Sequence, residues 1–461
     1  MKVVVLGSGP GGYVAALKAA HLGAEVTVIE KDEVGGTCLN WGCIPTKTLV
    51  ASTEALRNAR NLAEYGIDNS GSVFPNLAKM MERKGKIVSI QVKGIRGLFK
   101  SWGITLWEGK GTLVSPRSIE VEKNDGTKET MGADRIIIAT GSRPADIPGL
   151  PFDGERILSS DDAVTVREIP RRILIVGAGV IGCEYACIFN ELGAEVTIVE
   201  MLSRAVSSED IEISEYLEKE FRKKKINLVT GVKVARIQIG DDGMHVILSD
   251  GKELVTDKVL VSVGRSLNSE HIGLERLGIK KGEKGEILVD ERMETNVKGI
   301  YAVGDVVGGM LLAHKASQEG IVAASNACGA DMTIDYSIVP AAVFTSPEIA
   351  SVGLREHEAR GKGMSIKTGH FPVRALGKAH ATGEISGFFK IITDAPTGRI
   401  LGAHIIGPHA SDLIHEIAVA MKAGLAAKDV AETIHAHPTF SEGIREAAED
   451  VLGEAIHVPK K

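Results

Sequence analysis

A chain of 461 residues is long enough for about three domains, and its 44% hydrophobic and 25% charged residues are those of a globular protein. A net charge of −6 gives no global field for nucleic acid or an anionic membrane, and no apolar run reaches the ~18 residues of a spanning helix. Five cysteines do not make a secreted disulfide framework, and no signal-peptide pattern precedes the first strand. The expected compartment is therefore reducing and cytoplasmic, where a cysteine pair is usually catalytic.

The chain opens with Val3-Val4-Val5-Leu6, a short buried-type strand. Gly7-Ser8-Gly9-Pro10-Gly11-Gly12 follows, then a second strand from Glu25 to Ile29 that ends in Glu30. Every landmark recurs 170 positions later: Ile173–Val176, then Gly177, Gly179 and Gly182, then Glu195–Val199 ending in Glu200. In such a unit the first glycine makes the strand-to-helix turn. The second lets backbone approach a pyrophosphate, and the third lets helix pack on strand. The helix N-terminus offers unpaired N–H groups to phosphate, and the acid closing the second strand suits a ribose hydroxyl. Two such units imply two dinucleotides that exchange electrons. Nicotinamide carries hydride, and flavin links hydride to a disulfide.

The first unit runs straight into residues 35–47, Gly-Gly-Thr-Cys-Leu-Asn-Trp-Gly-Cys-Ile-Pro-Thr-Lys. Cys38 and Cys43 stand five apart, too far to bridge in a regular helix, so a bridge needs a distorted turn. Gly35, Gly36 and Gly42 supply backbone freedom, and Pro45 suits the first turn of the next helix. The small loop would gain little stability from a bridge, which favours redox chemistry over stapling. Zinc would want a second Cys/His pair at ligand spacing, and none follows. FAD is assigned to the first unit and NAD to the second. Glu200 would repel a 2′-phosphate; Arg204 is the nearest cation that could oppose this assignment.

Ala51–Glu64 and Ala78–Gly97 carry apolar residues at helical spacing, and 104–138 reads as short strands with a turn at Asn124-Asp125-Gly126. The basic run Arg222–Lys225 reads as the solvated end of a helix. Phe388–Thr393 and Ile400–Ile406 flank a hairpin turn at 394–398. Leu413, Ile414, Ile417, Ala418 and Met421 share one helical face.

Taken together, these residues make the chain similar to the flavin-dependent disulfide reductases, the pyridine nucleotide-disulfide oxidoreductases, over essentially its whole length. The resemblance implies an α/β fold with two Rossmann-like dinucleotide-binding domains plus an α+β dimerisation domain. The FAD domain would comprise 1–145 and 264–334, the NAD domain 146–263, and the interface domain 335–461. It implies a Cys38–Cys43 redox disulfide, with Lys47 and Glu184 paired beside the flavin. His437 and Glu442, in the run His435-Ala-His-Pro-Thr-Phe-Ser-Glu442, would form an acid–base dyad that reaches the other subunit. FAD would be lined by Gly7, Gly9, Gly12, Glu30, Gly36, Thr37, Lys47, Thr140, Gly141, Asp305 and Ala313. NAD would be lined by Gly177, Gly179, Ile181, Gly182, Glu200 and Gly264. The likeness is strongest to members that oxidise dihydrolipoyl groups with NAD, which implies a homodimer served by the lipoyl domain of a 2-oxoacid dehydrogenase or glycine cleavage complex. An NAD(P)H-dependent reductase of another small disulfide and a non-catalytic complex subunit are the other readings. Trp41 stands where relatives carry a smaller residue.

Overall fold

The computed structural model describes residues 1–68, 71–147 and 149–459. The chain gathers into two compact units. The first contains Met1–Ile147, Ser159–Glu168 and Gly264–Asp335; the second contains Pro148–Leu158, Ile169–Val263 and Tyr336–Lys461.

A seven-stranded sheet organises the first unit. Its order is Ile300–Ala302, Arg135–Ile138, Lys2–Leu6, Glu25–Glu30, Thr105–Ser115, Ser118–Lys123 and Lys128–Gly132. The first five strands pair in parallel, and the last two turn back as an antiparallel meander. Continuous β-branched runs such as Val3-Val4-Val5 and Ile136-Ile137-Ile138 are fully buried, as a parallel sheet covered on both faces requires. One face is covered by the Pro10–His21 and Ala313–Ala327 helices. These two helices touch backbone to backbone. A Cβ on Gly320 would lie 2.4 Å from the Gly11 carbonyl oxygen, so only glycine fits there.

The second unit contains three sheets. Asn227–Thr230, Glu195–Glu200, Arg172–Val176, Lys258–Val261 and Ile157–Leu158 form a parallel sheet in that order. Val234–Gly240, Gly243–Leu248 and Glu253–Thr256 form an antiparallel one. The third, also antiparallel, runs Ala341–Val343, Ile349–Gly353, Ile400–Ile406, Phe388–Asp394, Ile366–Pro372. The Ala410–Lys422 and Glu442–Leu452 helices bury Ile414, Ile417, Ile444 and Val451 in the core of this last sheet. The segments expected to carry the nicotinamide cofactor and the dimer interface thus share one unit. Lys390 joins them. Its buried ammonium meets Asp210 (2.9 Å) and Glu212 (2.8 Å) at the start of the Ile211–Lys223 helix, and Glu356 at 2.7 Å.

Several boundaries move from their expected places. The cysteine segment is two helices, Gly36–Asn40 and Cys43–Arg60, with the break at Trp41-Gly42. The helix expected over 51–64 ends at Arg60, followed by a 3₁₀ turn at Leu62–Tyr65. The next runs Leu77–Ser101, capped by the Asn76 side chain on the Lys79 N–H. The basic run does end a helix, but Lys224 is not simply solvated: its ammonium pairs with Glu191 (3.2 Å) and the Ser346 hydroxyl (3.1 Å).

Candidate active site

The two glycine-rich units have the same backbone. Gly7 and Gly177 sit at φ +101° and +102°, a conformation that strongly favours glycine. A Cβ on Gly12 would lie 2.0 Å from the Gly7 carbonyl oxygen; one on Gly182 would lie 2.0 Å from that of Gly177. Each third glycine is therefore fixed by helix–strand contact. The Pro10–His21 and Val180–Leu192 helices start at Gly9 and Gly179 with no side-chain cap, leaving their first N–H groups for an anion. A Cβ on Gly36 would come within 2.7 Å of Gly9 Cα, so the cysteine segment lies directly against the first cradle.

Both strand-ending acids fold back onto their own glycine loops. Glu30 accepts from the Ser8 N–H (2.8 Å), the Ser8 hydroxyl (2.6 Å) and the Asp32 N–H (2.9 Å). Glu200 accepts from the Ala178 N–H (2.6 Å) and the Leu202 N–H (2.7 Å). Each carboxylate is buried and held in place at the carboxyl end of its strand. Arg204 is turned away from a phosphate role. Its guanidinium donates to the Glu209 and Ser207 carbonyl oxygens (2.9 and 2.8 Å) and to the Ser214 hydroxyl (3.0 Å).

Cys38 and Cys43 lie on the two helices that meet at Trp41-Gly42. They are thiols that share a hydrogen bond. That bond raises the Cys38 thiol well above its ordinary range, burial adds to the rise, and the Lys47 ammonium opposes it. Lys47 stands one turn beyond Cys43 on the same helix. Glu184 belongs to the other unit, where its buried carboxylate accepts from the Phe344 N–H at 2.9 Å.

Asp305 follows the Ile300–Ala302 strand in a 3₁₀ turn. Its Oδ2 accepts from the Ser142 hydroxyl at 2.5 Å, and that hydroxyl accepts from Arg265 Nε at 2.7 Å. Thr140 and Asn268 exchange hydrogen bonds of 2.7 and 2.9 Å, which ties Thr140-Gly141 to the chain returning beyond Gly264. Ala313 begins the covering helix, whose Lys315 and Glu319 form a buried ion pair at 3.0 Å; Glu319 also accepts from the Gly304 N–H at 2.7 Å. Ile181 is half-buried in the first turn of its helix. Sequence reasoning missed Ser8, Ser142 and the Lys315–Glu319 pair. Only the last had a signal, an i, i+4 spacing of opposite charges.

In the second unit His437 Nδ1 lies 2.9 Å from Glu442 Oε1, and Glu442 Oε2 accepts from the Thr439 N–H at 2.8 Å. Glu442 is the first residue of its helix, placed by Gly443: a Cβ there would lie 2.2 Å from the Phe389 ring. Partial burial works against the Glu442 charge. The Thr439 N–H and the His437 ring outweigh it and hold the carboxyl below its usual range. The His437 side chain is 75% exposed in the single chain.

This chemistry suits two dinucleotides and a thiol pair: two uncapped helix ends, two glycine cradles that a Cβ would fill, and two ordered carboxylates. The family model for pyridine nucleotide-disulphide oxidoreductases matches residues 1–320, and the model for the dimerisation domain of the same family matches 339–448. The chain belongs to that family. Within it, the chain belongs with the dihydrolipoyl dehydrogenases, which use FAD and NAD. It is 43% identical to dihydrolipoyl dehydrogenase of Bacillus subtilis (strain 168), over 99% of this chain and 98% of that one. The dihydrolipoyl dehydrogenases of Chlamydia trachomatis serovar D and Thermus scotoductus are 43% and 41% identical, each over 99% of this chain and 98% of theirs. The crystal structure of LpdA from Mycobacterium tuberculosis superposes with TM-score 0.92 at 31% identity, covering 97% of this chain and 99% of that one. The HOCl-induced flavoprotein disulfide reductase RclA of Escherichia coli gives 0.87 at 26% identity, covering 97% and 99%. Among the described residues no helix is long and apolar enough to cross a membrane.

Proposed function

We propose that this chain oxidises dihydrolipoyl groups and reduces NAD⁺, working as a cytoplasmic homodimer on the lipoyl domain of a 2-oxoacid dehydrogenase or glycine cleavage complex. The observation that carries the reading is the hydrogen-bonded Cys38–Cys43 pair set against the first glycine cradle. FAD, held at the first glycine cradle, would supply the two-electron chemistry that links a thiol pair to a nicotinamide.

The protein's own residues handle thiols and protons. His437, oriented through Nδ1 by Glu442, takes a proton from the dithiol substrate. The resulting thiolate attacks Cys38 of the Cys38–Cys43 disulfide, and Cys43 leaves as thiolate. The second substrate thiol then displaces Cys38, which closes the substrate disulfide and leaves both cysteines reduced. Cys43 is assigned to the flavin side and Cys38 to the substrate side. The dyad acts on the cysteines of the other subunit, so the dimer is the active unit.

Gly7, Gly9 and Gly12 would hold the FAD pyrophosphate, with Glu30 on its ribose and Asp305 on its ribityl chain. Gly36, Thr37, Thr140, Gly141 and Ala313 complete that lining. Gly177, Gly179, Gly182, Glu200 and Gly264 would hold NAD, with Ile181 over the flavin face and Lys47 paired with Glu184 near the flavin. The inward engagement of Arg204 supports NAD over NADP. The division into FAD segments 1–145 and 264–334, NAD segment 146–263 and interface segment 335–461 belongs to the same proposal.

The test is a Cys38→Ser variant assayed with dihydrolipoamide and NAD⁺. It should keep its flavin spectrum and lose turnover by at least 10³-fold, an order of magnitude set by removal of a covalent nucleophile. Wild-type turnover in that variant would sink the reading.

A further inference from the structure

A second imidazole–carboxylate pair lies two residues before the first. His435 Nε2 is 2.8 Å from Glu416 Oε1, and His435 Nδ1 is 2.9 Å from the Thr433 carbonyl oxygen. A carbonyl oxygen and a carboxylate only accept hydrogen bonds. Each ring nitrogen must therefore carry the proton of its own bond, and a ring protonated on both nitrogens is an imidazolium. The His435 side chain is 5% exposed, so water does not compete for either nitrogen, while Glu416, at 36%, keeps contact with solvent. His437 is the contrast. Its Nδ1 faces Glu442, while its largely exposed ring leaves Nε2 to exchange a proton.

The charged groups around His435 come from three helices. Ala410–Lys422 contributes Glu416. Glu442–Leu452 contributes Glu442 and Arg445; Arg445 pairs with Glu449 at 2.8 Å and donates to the Ala431 carbonyl oxygen, and its charge works against the His435 proton. At the Ala427–Ala431 helix, Lys428 and Glu432 pair with each other at 3.5 Å. Glu416 is thus the anion assigned to His435. The Glu416 bond raises the His435 ring above its ordinary range, burial opposes that, and the Thr433 carbonyl adds to it. The field of His435 in turn helps hold Glu442 ionised.

We propose that His435 is a fixed imidazolium, clamped by Glu416 and the Thr433 carbonyl, that acts as a positioning residue for the His437–Glu442 dyad. It anchors the 433–437 segment to the Ala410–Lys422 helix and supplies a constant positive charge beside the dyad. Only His437 then changes protonation during turnover. The kinetic consequence rests on the dyad's proposed catalytic role; the charge state of His435 does not.

The experiment is a pH titration of ¹⁵N-histidine-labelled flavin-loaded dimer by NMR, with His435→Gln and His437→Gln used to assign the rings. The expected result is one ring, absent in His435→Gln, that carries protons on both nitrogens at pH 7.5. In Glu416→Gln, which keeps an acceptor but removes the anion, that ring should lose its second proton between pH 6 and 8. The acid limb of kcat/KM in His435→Gln should move up by about half a unit, because without a neighbouring cation the dyad binds its proton more readily. The flavin spectrum and the KM for dihydrolipoamide should stay near wild type. A singly protonated His435 ring at pH 7.5, or an acid limb unmoved in His435→Gln, overturns the proposal. Wild-type turnover in His437→Gln would instead overturn the catalytic reading of the dyad and leave the NMR result standing.

Discussion

The two glycine-rich repeats share one backbone and differ in what lies around it. Strand bounds, glycine φ values and the 2.0 Å prohibition at the third glycine match between them. In the first repeat, position 11 is glycine and abuts Gly320 on a covering helix. In the second, the matching position is Ile181, half-buried, and Val180 beside it is 36% exposed. The first helix start is thus sealed within its unit, and the second keeps an apolar, accessible face. One local code thus serves two loops with different surroundings. The neighbouring helix, not the glycine motif, separates the two.

That contrast can be broken in order of expected effect. Gly12→Ala and Gly182→Ala introduce the same clash with a carbonyl oxygen. Gly12→Ala should yield little flavin-loaded protein. Gly182→Ala should remain yellow but lose flavin reduction by NADH at least 100-fold in stopped flow, each clash costing about 1–3 kcal/mol or more. Equal flavin loss in both would erase the distinction. Gly320→Ala strikes the seal alone, with its Cβ 2.4 Å from the Gly11 carbonyl oxygen. It should cost about 2 kcal/mol and appear as a lower temperature for flavin release, with NADH affinity in the surviving holoenzyme unchanged.

A smaller difference concerns pH. The Gly11–Gly320 contact contains no titratable group, whereas the helix after the second repeat is tied down by charge. His370 first, and Lys390 with it, hold the Glu212 carboxyl down to about 2 against some burial. A carboxyl depressed on folding stabilises above its ordinary value near 4.5 and loses that contribution as pH falls through about 2. Glu212 is 44% exposed, so solvent screens the effect and it is modest. The denaturant midpoint of the second unit should fall between pH 4.5 and 2, and fall less in Glu212→Gln. The smallest effect is expected from Ser8→Ala, which gives the first repeat the alanine of the second. Losing one hydroxyl bond to Glu30 should cost about 1 kcal/mol in urea unfolding.

Periodic features were legible in the sequence. The repeat spacing is set by strand–turn–helix stereochemistry, so Gly7, Gly12, Glu30 and their partners fell where the pattern put them. The hairpin at 388–406 and the helix starting at Ala313 were equally local. What escaped was either a short-range choice or a long-range contact. The helix through Pro45 was expected, but the distorted turn before it is itself a short helix, Gly36–Asn40, broken at Trp41-Gly42, because the Trp41 N–H can still close on Thr37. Arg204 looked available to a phosphate. Its capture by the Ser207 and Glu209 carbonyls depends on how the following turn folds, which no spacing encodes. Glu416 and His435 are 19 residues apart on separate elements, and neither alone carries a pattern.

The sheet order has a consequence for how the chain is made. Arg135–Ile138 pairs on one side with Lys2–Leu6 and on the other with Ile300–Ala302. That last partner leaves the ribosome about 160 residues later, a delay of roughly 10–30 s at ordinary translation speed. The parallel sheet of the second repeat, by contrast, draws all its strands from one continuous stretch, Ile157–Leu158 through Lys258–Val261. The inserted half can therefore finish its sheet while the outer half still offers a bare hydrophobic edge to solvent. In the nascent chain, that edge at Arg135–Ile138 stays open to non-native strand pairing until Ile300–Ala302 arrives.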